Sequence, residues 1–415
     1  MKLYEYSSIL ARNIHHRDYA LFSLLAIISP VVPEIPVGEE WIWCNFHMLY
    51  IGDIGIGKSS LLNRIAKLAP IAVYADKLTE GSIIGLYGSR EIVFPLVEGA
   101  YNGVIISTEF DKTVKNKRIQ GLLRRIMEKW EIQTWTRGHT RKITPNSAIL
   151  AAANPRGDVI RATKLFDILV FELGLLNRFD YIKIASLSKE DIKRIAEDIG
   201  ANAWVVNLSK STKMEEIRNH IHRIHGILVN EETRPSIEVP GRFGREITKL
   251  FIERADPDNN PLENIRLLIS SLKIIQLSTY FNLEERKVKE NKIKATEEDL
   301  ELAKMYLLTQ IENLRNIYKY MSNVKESKSA KILAIYSIIK KLVTETKGPV
   351  KLSEVIRESE KEGIASENTV RRYVRILADQ GHVKLWLYKT VYYVGLRNTM
   401  SPEEYFSKKQ AVKTS

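Results

Sequence analysis

Two kinds of hydrophobic periodicity alternate along the first half of the chain. Residues 17–29 repeat apolar positions at helical spacing until Pro30 closes the segment. Pro33, Pro36 and Gly38 make a loop, and residues 41–51, dense in aromatic and β-branched side chains, read as one buried strand. Residues 59–68 read as a helix ended at Pro70, 104–106 as a short strand, and 117–129 as a helix. Residues 132–143 read as a hairpin around Gly138. Residues 148–153 read as a small-residue strand ended by Asn154-Pro155, and 181–184 as another strand. Strands alternating with helices predict an α/β core over residues 1–187, with a parallel sheet covered on both faces.

Beyond Ser188 the strand signal fades. Helical spacing dominates 188–321, which predicts an all-helical unit, and 322–329 is a polar linker. Residues 330–397 read as three helices followed by a hairpin, the element order of a winged helix. The polar tail 398–415 is expected to fray.

The chain has 415 residues, 44% hydrophobic and 27% charged, which excludes a disordered or collagen-like chain. A single cysteine excludes a disulfide framework and a Cys-rich zinc site, and suits a reducing, cytoplasmic setting. The longest apolar run, residues 19–32, is too short to span a bilayer and is broken at Pro30. Basic residues precede it, as in a signal peptide, but no small-residue cleavage site follows. The formal net charge of +13 predicts a polyanion or an acidic surface as partner.

One segment carries explicit chemistry. Gly52-Asp53-Ile54-Gly55-Ile56-Gly57-Lys58-Ser59, followed by Ser60, fits G-x-x-x-x-G-K-[ST] at every fixed position. Glycines let the backbone curl until its N–H groups converge on phosphate oxygens, and the next helix turns its positive end to the same anion. Lys58 is placed to reach the β- and γ-phosphates of ATP, and Ser59 to ligate Mg2+. Hydrolysis needs a second strand ending in carboxylates. The candidate is 103–112, where Glu109 stands in the position of the water-activating base. Thr108 precedes it and can support only a metal-bound water, because a hydroxyl carries no charge.

At this point the residues resemble a family. Glu109-Phe110-Asp111-Lys112 is similar to the "DEFDK" segment of the MCM replicative helicases, which are AAA+ ATPases. Residues 151–155 resemble their sensor 1 strand, Leu176-Asn177-Arg178-Phe179-Asp180 their "SRFD" arginine-finger segment, and 295–303 the helix closing their lid. The resemblance covers about residues 5–310. It implies that Asn154 is sensor 1 and that Arg178 is a finger reaching a neighbouring subunit's nucleotide. A homo-oligomeric ring, most simply a hexamer, follows from that. Sensor 2 falls on Arg245, with Arg242 as the alternative. Three departures stand out: Thr108 replaces the family's aspartate, the ATPase motifs begin without the family's N-terminal DNA-binding region, and 82–99 is shorter than the family's inserted hairpin. Gly88-Ser89-Arg90 can still turn a small hairpin there. Such a short form fits an archaeal plasmid, virus or integrated element.

Two regions are candidates for DNA contact. The 131–144 hairpin carries Arg137, His139, Arg141 and Lys142; in MCM-like rings this hairpin grips the backbone in the channel. Trp130 and Trp135 beside it read as packing residues. In the winged helix, Val370, Tyr373, Val374 and Leu377 recur at core spacing, leaving Asn368, Arg371, Arg372 and Arg375 outward as on a recognition helix. Lys389 stands at the hairpin turn. From Lys325 on there are 18 Lys+Arg against 10 Asp+Glu. The sequence therefore predicts an ATP-dependent helicase or DNA-remodelling ATPase of replication initiation. The alternatives are an ATP-switched initiator with little turnover, which Thr108 favours, and a protein-remodelling ring.

Overall fold

The computed structural model describes residues 2–11, 16–53, 55–75, 82–83, 86–87, 92–93, 96–114, 117–136, 139–154, 173–185, 190, 193–194, 196–197, 208–257, 260, 262–286, 288–322, 328–362, 364–379 and 382–411. They form two compact units, Met1–Lys319 and Tyr320–Ser415. Among them no helix is long and apolar enough to cross a membrane.

The strand expected over 41–51 is two elements. β1 (Ile35–Val37) and β2 (Glu40–Ile42) pair as an antiparallel hairpin, and Trp41 is 64% exposed on it. β3 (Met48–Gly52) is separate and buried throughout. The backbone between them is committed elsewhere. The Phe46 N–H donates to Ser29 Oγ at 3.0 Å, the His47 N–H donates to Asp180 Oδ2 at 2.8 Å, and the Asn45 carbonyl accepts from Lys273 Nζ at 2.8 Å. Groups so used cannot also form a ladder.

The strands that follow are β4 (Ala72–Tyr74), β5 (Leu86–Tyr87), β6 (Ile92–Val93), β7 (Gly103–Ser107), β8 (Ile132–Thr136), β9 (His139–Ile143), β10 (Ser147–Ala153) and β11 (Tyr181–Ala185). Five of them form one parallel sheet in the order β11-β3-β10-β7-β4. β3, β7 and β10 are buried at every residue, as a sheet with both faces covered requires. The helix Arg17–Ile28 is buried continuously from Tyr19 to Ile28. The register sets Ala153 beside Ile51, and Ala151 beside Ser107. The carboxyl ends of β3, β7 and β10 therefore share one edge, where ligands bind in open α/β sheets. β5–β6 and β8–β9 are separate antiparallel pairs; the turn expected at Gly88-Ser89-Arg90 lies outside the described residues.

The helices Leu208–Val229, Gly241–Arg254, Ile265–Phe281 and Glu297–Ser322 make up the region expected to be helical throughout. It also carries a parallel ladder of β12 (Ser236–Glu238) and β13 (Lys292–Lys294). Three residues per strand are too few for an alternation to show in sequence.

The second unit contains helices Lys328–Thr346, Leu352–Lys361 and Glu367–Asp379, with β14 (Val350–Lys351), β15 (Val383–Tyr388) and β16 (Val391–Leu396) in the order β14-β16-β15. Val370, Tyr373, Val374 and Leu377 enter its core beside Ile335, Ile339, Val355 and Val394. The tail does not fray over Pro402–Ala411, which is helical. Phe406 stacks on Tyr388 (centroids 5.8 Å apart), and Tyr405 Oη donates to the Thr346 carbonyl at 3.0 Å. With Tyr393, which meets Phe406 edge-on, these four aromatic rings supply the apolar burial that the polar composition conceals.

Candidate active site

The segment after β3 has the conformation its glycines predict. Gly55 and Gly57 sit at φ +91° and +88°, values that L side chains rarely adopt. The helix Lys58–Leu68 starts immediately after Gly57, so its first N–H groups open toward the loop. Lys58 is 5% exposed. Its Nζ donates to the Gly52 and Asp53 carbonyls at 2.6 and 2.8 Å. Burial pushes the ammonium down to about 8, against the opposing fields of Asp53 and Asp111. Among the described residues this desolvated cation donates to two carbonyl oxygens, and a phosphate oxygen is a stronger partner. His16, buried, contacts the Ile56 carbonyl through Nε2 at 2.9 Å and packs against Gly57, where an added Cβ would lie 3.2 Å from its ring. Ser59 and Ser60 stand in the first helical turn, Ser59 exposed; Ile54 lies outside the described residues.

Thr108 and Glu109 follow the end of β7. Thr108 is half-buried, and Glu109 is exposed and paired with Lys112 at 2.5 Å. Asn154 follows β10, and its N–H donates to Asp111 Oδ1 at 3.0 Å. The two strand ends are thereby tied together beside the loop. Ser59 and Thr108 offer only neutral hydroxyls to a magnesium ion. They fit a metal whose charge is balanced mainly by the nucleotide's phosphates.

Arg178 belongs to a different edge. One Nη donates to the Gly174 carbonyl, and the other pairs with Glu128 at 3.0 Å. Arg266 Nη2 reaches the same Glu128 Oε1 at 2.5 Å. The trio lines a cavity of about 520 Å³ with Trp41, Trp43 and Trp130. Neither Arg242 nor Arg245 is among its described lining residues. Arg242 pairs with Glu297, and Arg245 is exposed three residues on. Arg266 was missed in the sequence because no motif marks it. The only signal was Asn264, whose side chain accepts the Arg266 N–H at 2.9 Å and caps the helix.

Beneath Arg178 lies a buried polar network. Asp180, two residues on, is buried and accepts from Lys273 Nζ at 2.8 Å, Ser270 Oγ at 2.6 Å and the His47 N–H at 2.8 Å. Burial alone would raise its carboxyl, but Lys273 and His47 hold it below the usual range. Burial in the same network pushes His47 down to about 4.

Of the basic hairpin, Arg137 lies outside the described residues. His139 and Arg141 are on β9, opposite Thr136 and Thr134, and Lys142 pairs with Glu131 at 3.1 Å. Trp130, expected to pack, is 57% exposed; it follows the end of the helix Lys117–Met127, past a residue with φ +57°. In the second unit Asn368, Arg371, Arg372 and Arg375 are all exposed on one helix. Arg371 pairs with Glu367 at 2.8 Å, and Arg372 lies over the Tyr373 ring. Lys389 and Thr390 take φ +45° and +66° in the two-residue turn between β15 and β16.

The MCM P-loop domain family matches residues 7–202, which hold the loop, both following strand ends and Arg178. That match, just under half of the chain, marks its P-loop region as MCM-like. The minichromosome maintenance protein MCM of Saccharolobus solfataricus is 24% identical over 348 residues, 78% of this chain and 48% of that protein. The DNA replication licensing factor MCM5 of Arabidopsis thaliana is 31% identical over 195 residues, 44% of this chain and 23% of that protein. An MCM-type protein of Methanocaldococcus jannaschii is 30% identical over 195 residues, 45% and 25% respectively. The MCM-like chain thus matches less than half the length of each of these relatives.

Proposed function

We propose that this chain is an ATP-hydrolysing, DNA-acting motor of the MCM type that works in DNA replication as a homo-oligomeric ring. One observation carries the reading. The phosphate loop, Glu109 and Asn154 share one sheet edge, while Arg178, largely buried beside the cavity, stands elsewhere on the same domain. A site so divided is completed by a second copy, and a closed ring of six such contacts is the simplest assembly. The names of the relatives supply replication as the setting.

In this mechanism the loop amides and Lys58 grip the triphosphate, and Glu109 leaves Lys112 to polarise the attacking water. Asn154, braced by Asp111, orients that water against the terminal phosphate. Arg178 of the adjoining copy stabilises charge developing on the transferred phosphoryl group. Arg266, rather than Arg245 or Arg242, acts beside it. Ser59 and Thr108 are the residues that would hold a Mg2+ ion, which would supply positive charge to the phosphates. The hairpin residues Arg137, His139, Arg141 and Lys142 and the arginine-bearing helix of the second unit, read as a winged helix, contact DNA phosphates.

Thr108 supports a second reading, a nucleotide-switched DNA-binding initiator with little turnover. ATP turnover with and without single-stranded DNA, at several salt concentrations, alongside strand separation of a forked duplex, decides between them. DNA-stimulated, salt-sensitive turnover with unwinding supports the motor. Salt-sensitive DNA binding without stimulation or unwinding supports the switch.

A further inference from the structure

Glu128 stands at the end of the helix Lys117–Met127, immediately before the strand pair that carries the basic hairpin. Its side chain is 12% exposed, and one oxygen, Oε1, receives both Arg178 at 3.0 Å and Arg266 at 2.5 Å. These arginines come from distant parts of the chain. Arg178 precedes β11, whereas Arg266 lies in the first turn of the helix Ile265–Phe281. Nothing else described brings the two guanidiniums together. Without a shared anion, two like charges a few ångströms apart repel, and each long side chain regains its rotamer freedom. The second oxygen, Oε2, is buried with no hydrogen-bond partner among the described residues, and so is Arg178 Nε. The trio is therefore under-satisfied as it stands, though it borders an open cavity.

We infer that Glu128 is a positioning residue: it clamps Arg178 and Arg266 side by side as a preformed two-arginine receptor for the terminal phosphate of a triphosphate held by an adjoining copy. The inference rests on the trans-acting role proposed above for Arg178. The carboxylate holds the pair in register before the phosphate arrives, so the forks need not be ordered at docking. Glu128 touches no reacting atom and acts through the two arginines alone. It also joins this edge to the hairpin: a shift of the 117–127 helix end as DNA moves the hairpin would change the spacing of the receptor.

The test uses mixed full-length protomers. Copies carrying Lys58→Ala cannot use their own loop and serve only as arginine donors. Copies carrying Arg178→Ala serve only as loop donors. Turnover in the mixture measures the hybrid contact. Glu128→Gln placed in the arginine donor is expected to lower hybrid turnover about 10-fold to 100-fold, the range for misplaced catalytic groups. The same substitution in the loop donor should leave turnover unchanged, as should the binding of a fluorescent ATP analogue to that copy. Glu128→Asp, which keeps the charge, should restore part of the loss. Equal losses whichever partner carries Glu128→Gln, or no loss in either, overturn the assignment. If the mixture without Glu128→Gln shows no hybrid turnover at all, the trans role of Arg178 fails instead, and the two failures are told apart.

Discussion

Raising the pH above 8 should weaken nucleotide binding while it stabilises the empty protein, and both effects trace to Lys58. The ammonium of Lys58, 5% exposed and held by two carbonyls, is lowered to about 8 from an unfolded value of 10.5. A bound triphosphate adds negative charge beside it and raises that value again. Above pH 8 binding must therefore take up a proton, and affinity should fall by about tenfold, or ~1.4 kcal/mol, per pH unit until the liganded value is reached. The stability term has the opposite sign. A lysine lowered in the folded state binds fewer protons there than in the unfolded chain between pH 8 and 10.5. Folding is therefore favoured as pH rises through that window, by on the order of 3 kcal/mol across its full width. Calorimetric titration with ATP from pH 7 to 9.5, paired with urea unfolding of the empty protein, measures both. Lys58→Arg, charged throughout, should abolish the pH slope in affinity. An affinity independent of pH over this range, or an equal slope in Lys58→Arg, would refute the reasoning.

Other outcomes follow from the same structure. Lys273→Met leaves the Asp180 carboxylate buried without its cation and should destabilise the first unit by about 3–5 kcal/mol in denaturant titration, the range for a broken buried pair; a loss within experimental error would show that Ser270 and the His47 N–H suffice. Thr108→Asp restores a charge behind the metal and should raise the turnover number without tightening nucleotide binding in the absence of Mg2+; an unchanged rate at saturating Mg2+ would make the threonine a neutral replacement. Neutralising Arg137, Arg141 and Lys142 together should lower DNA-stimulated turnover more than basal turnover and flatten the salt dependence of DNA binding; equal loss of both would make the hairpin a structural element.

The part of the site built from contiguous sequence was legible, and the part built by tertiary convergence was not. The phosphate loop shows itself because its chemistry requires glycines at fixed intervals, and the structure places Gly55 and Gly57 in the left-handed region that explains them. The parallel sheet was readable because its strands are buried on both faces and appear as unbroken apolar runs. Glu128 and Arg266 were not readable. They are 138 residues apart and belong to no local pattern, so only the folded chain reveals that they meet at Arg178. The break between Trp41 and Met48 was hidden for a related reason. Aromatic density there signalled a strand, but long-range partners at Ser29, Asp180 and Lys273 claim the backbone groups that a ladder needs. The tail helix is hidden in the sequence because its lysines and glutamates mask Tyr405 and Phe406, whose rings pack within the second unit.

The central claim is that a phosphate loop in one copy is completed by Arg178 of another. ATP turnover of Lys58→Ala protein mixed with Arg178→Ala protein tests it most directly. Each variant alone should be inactive, and mixing should restore a substantial fraction of turnover that rises and falls with the proportion of each. Full turnover by Arg178→Ala alone, or no recovery from a mixture shown to co-assemble, would contradict it.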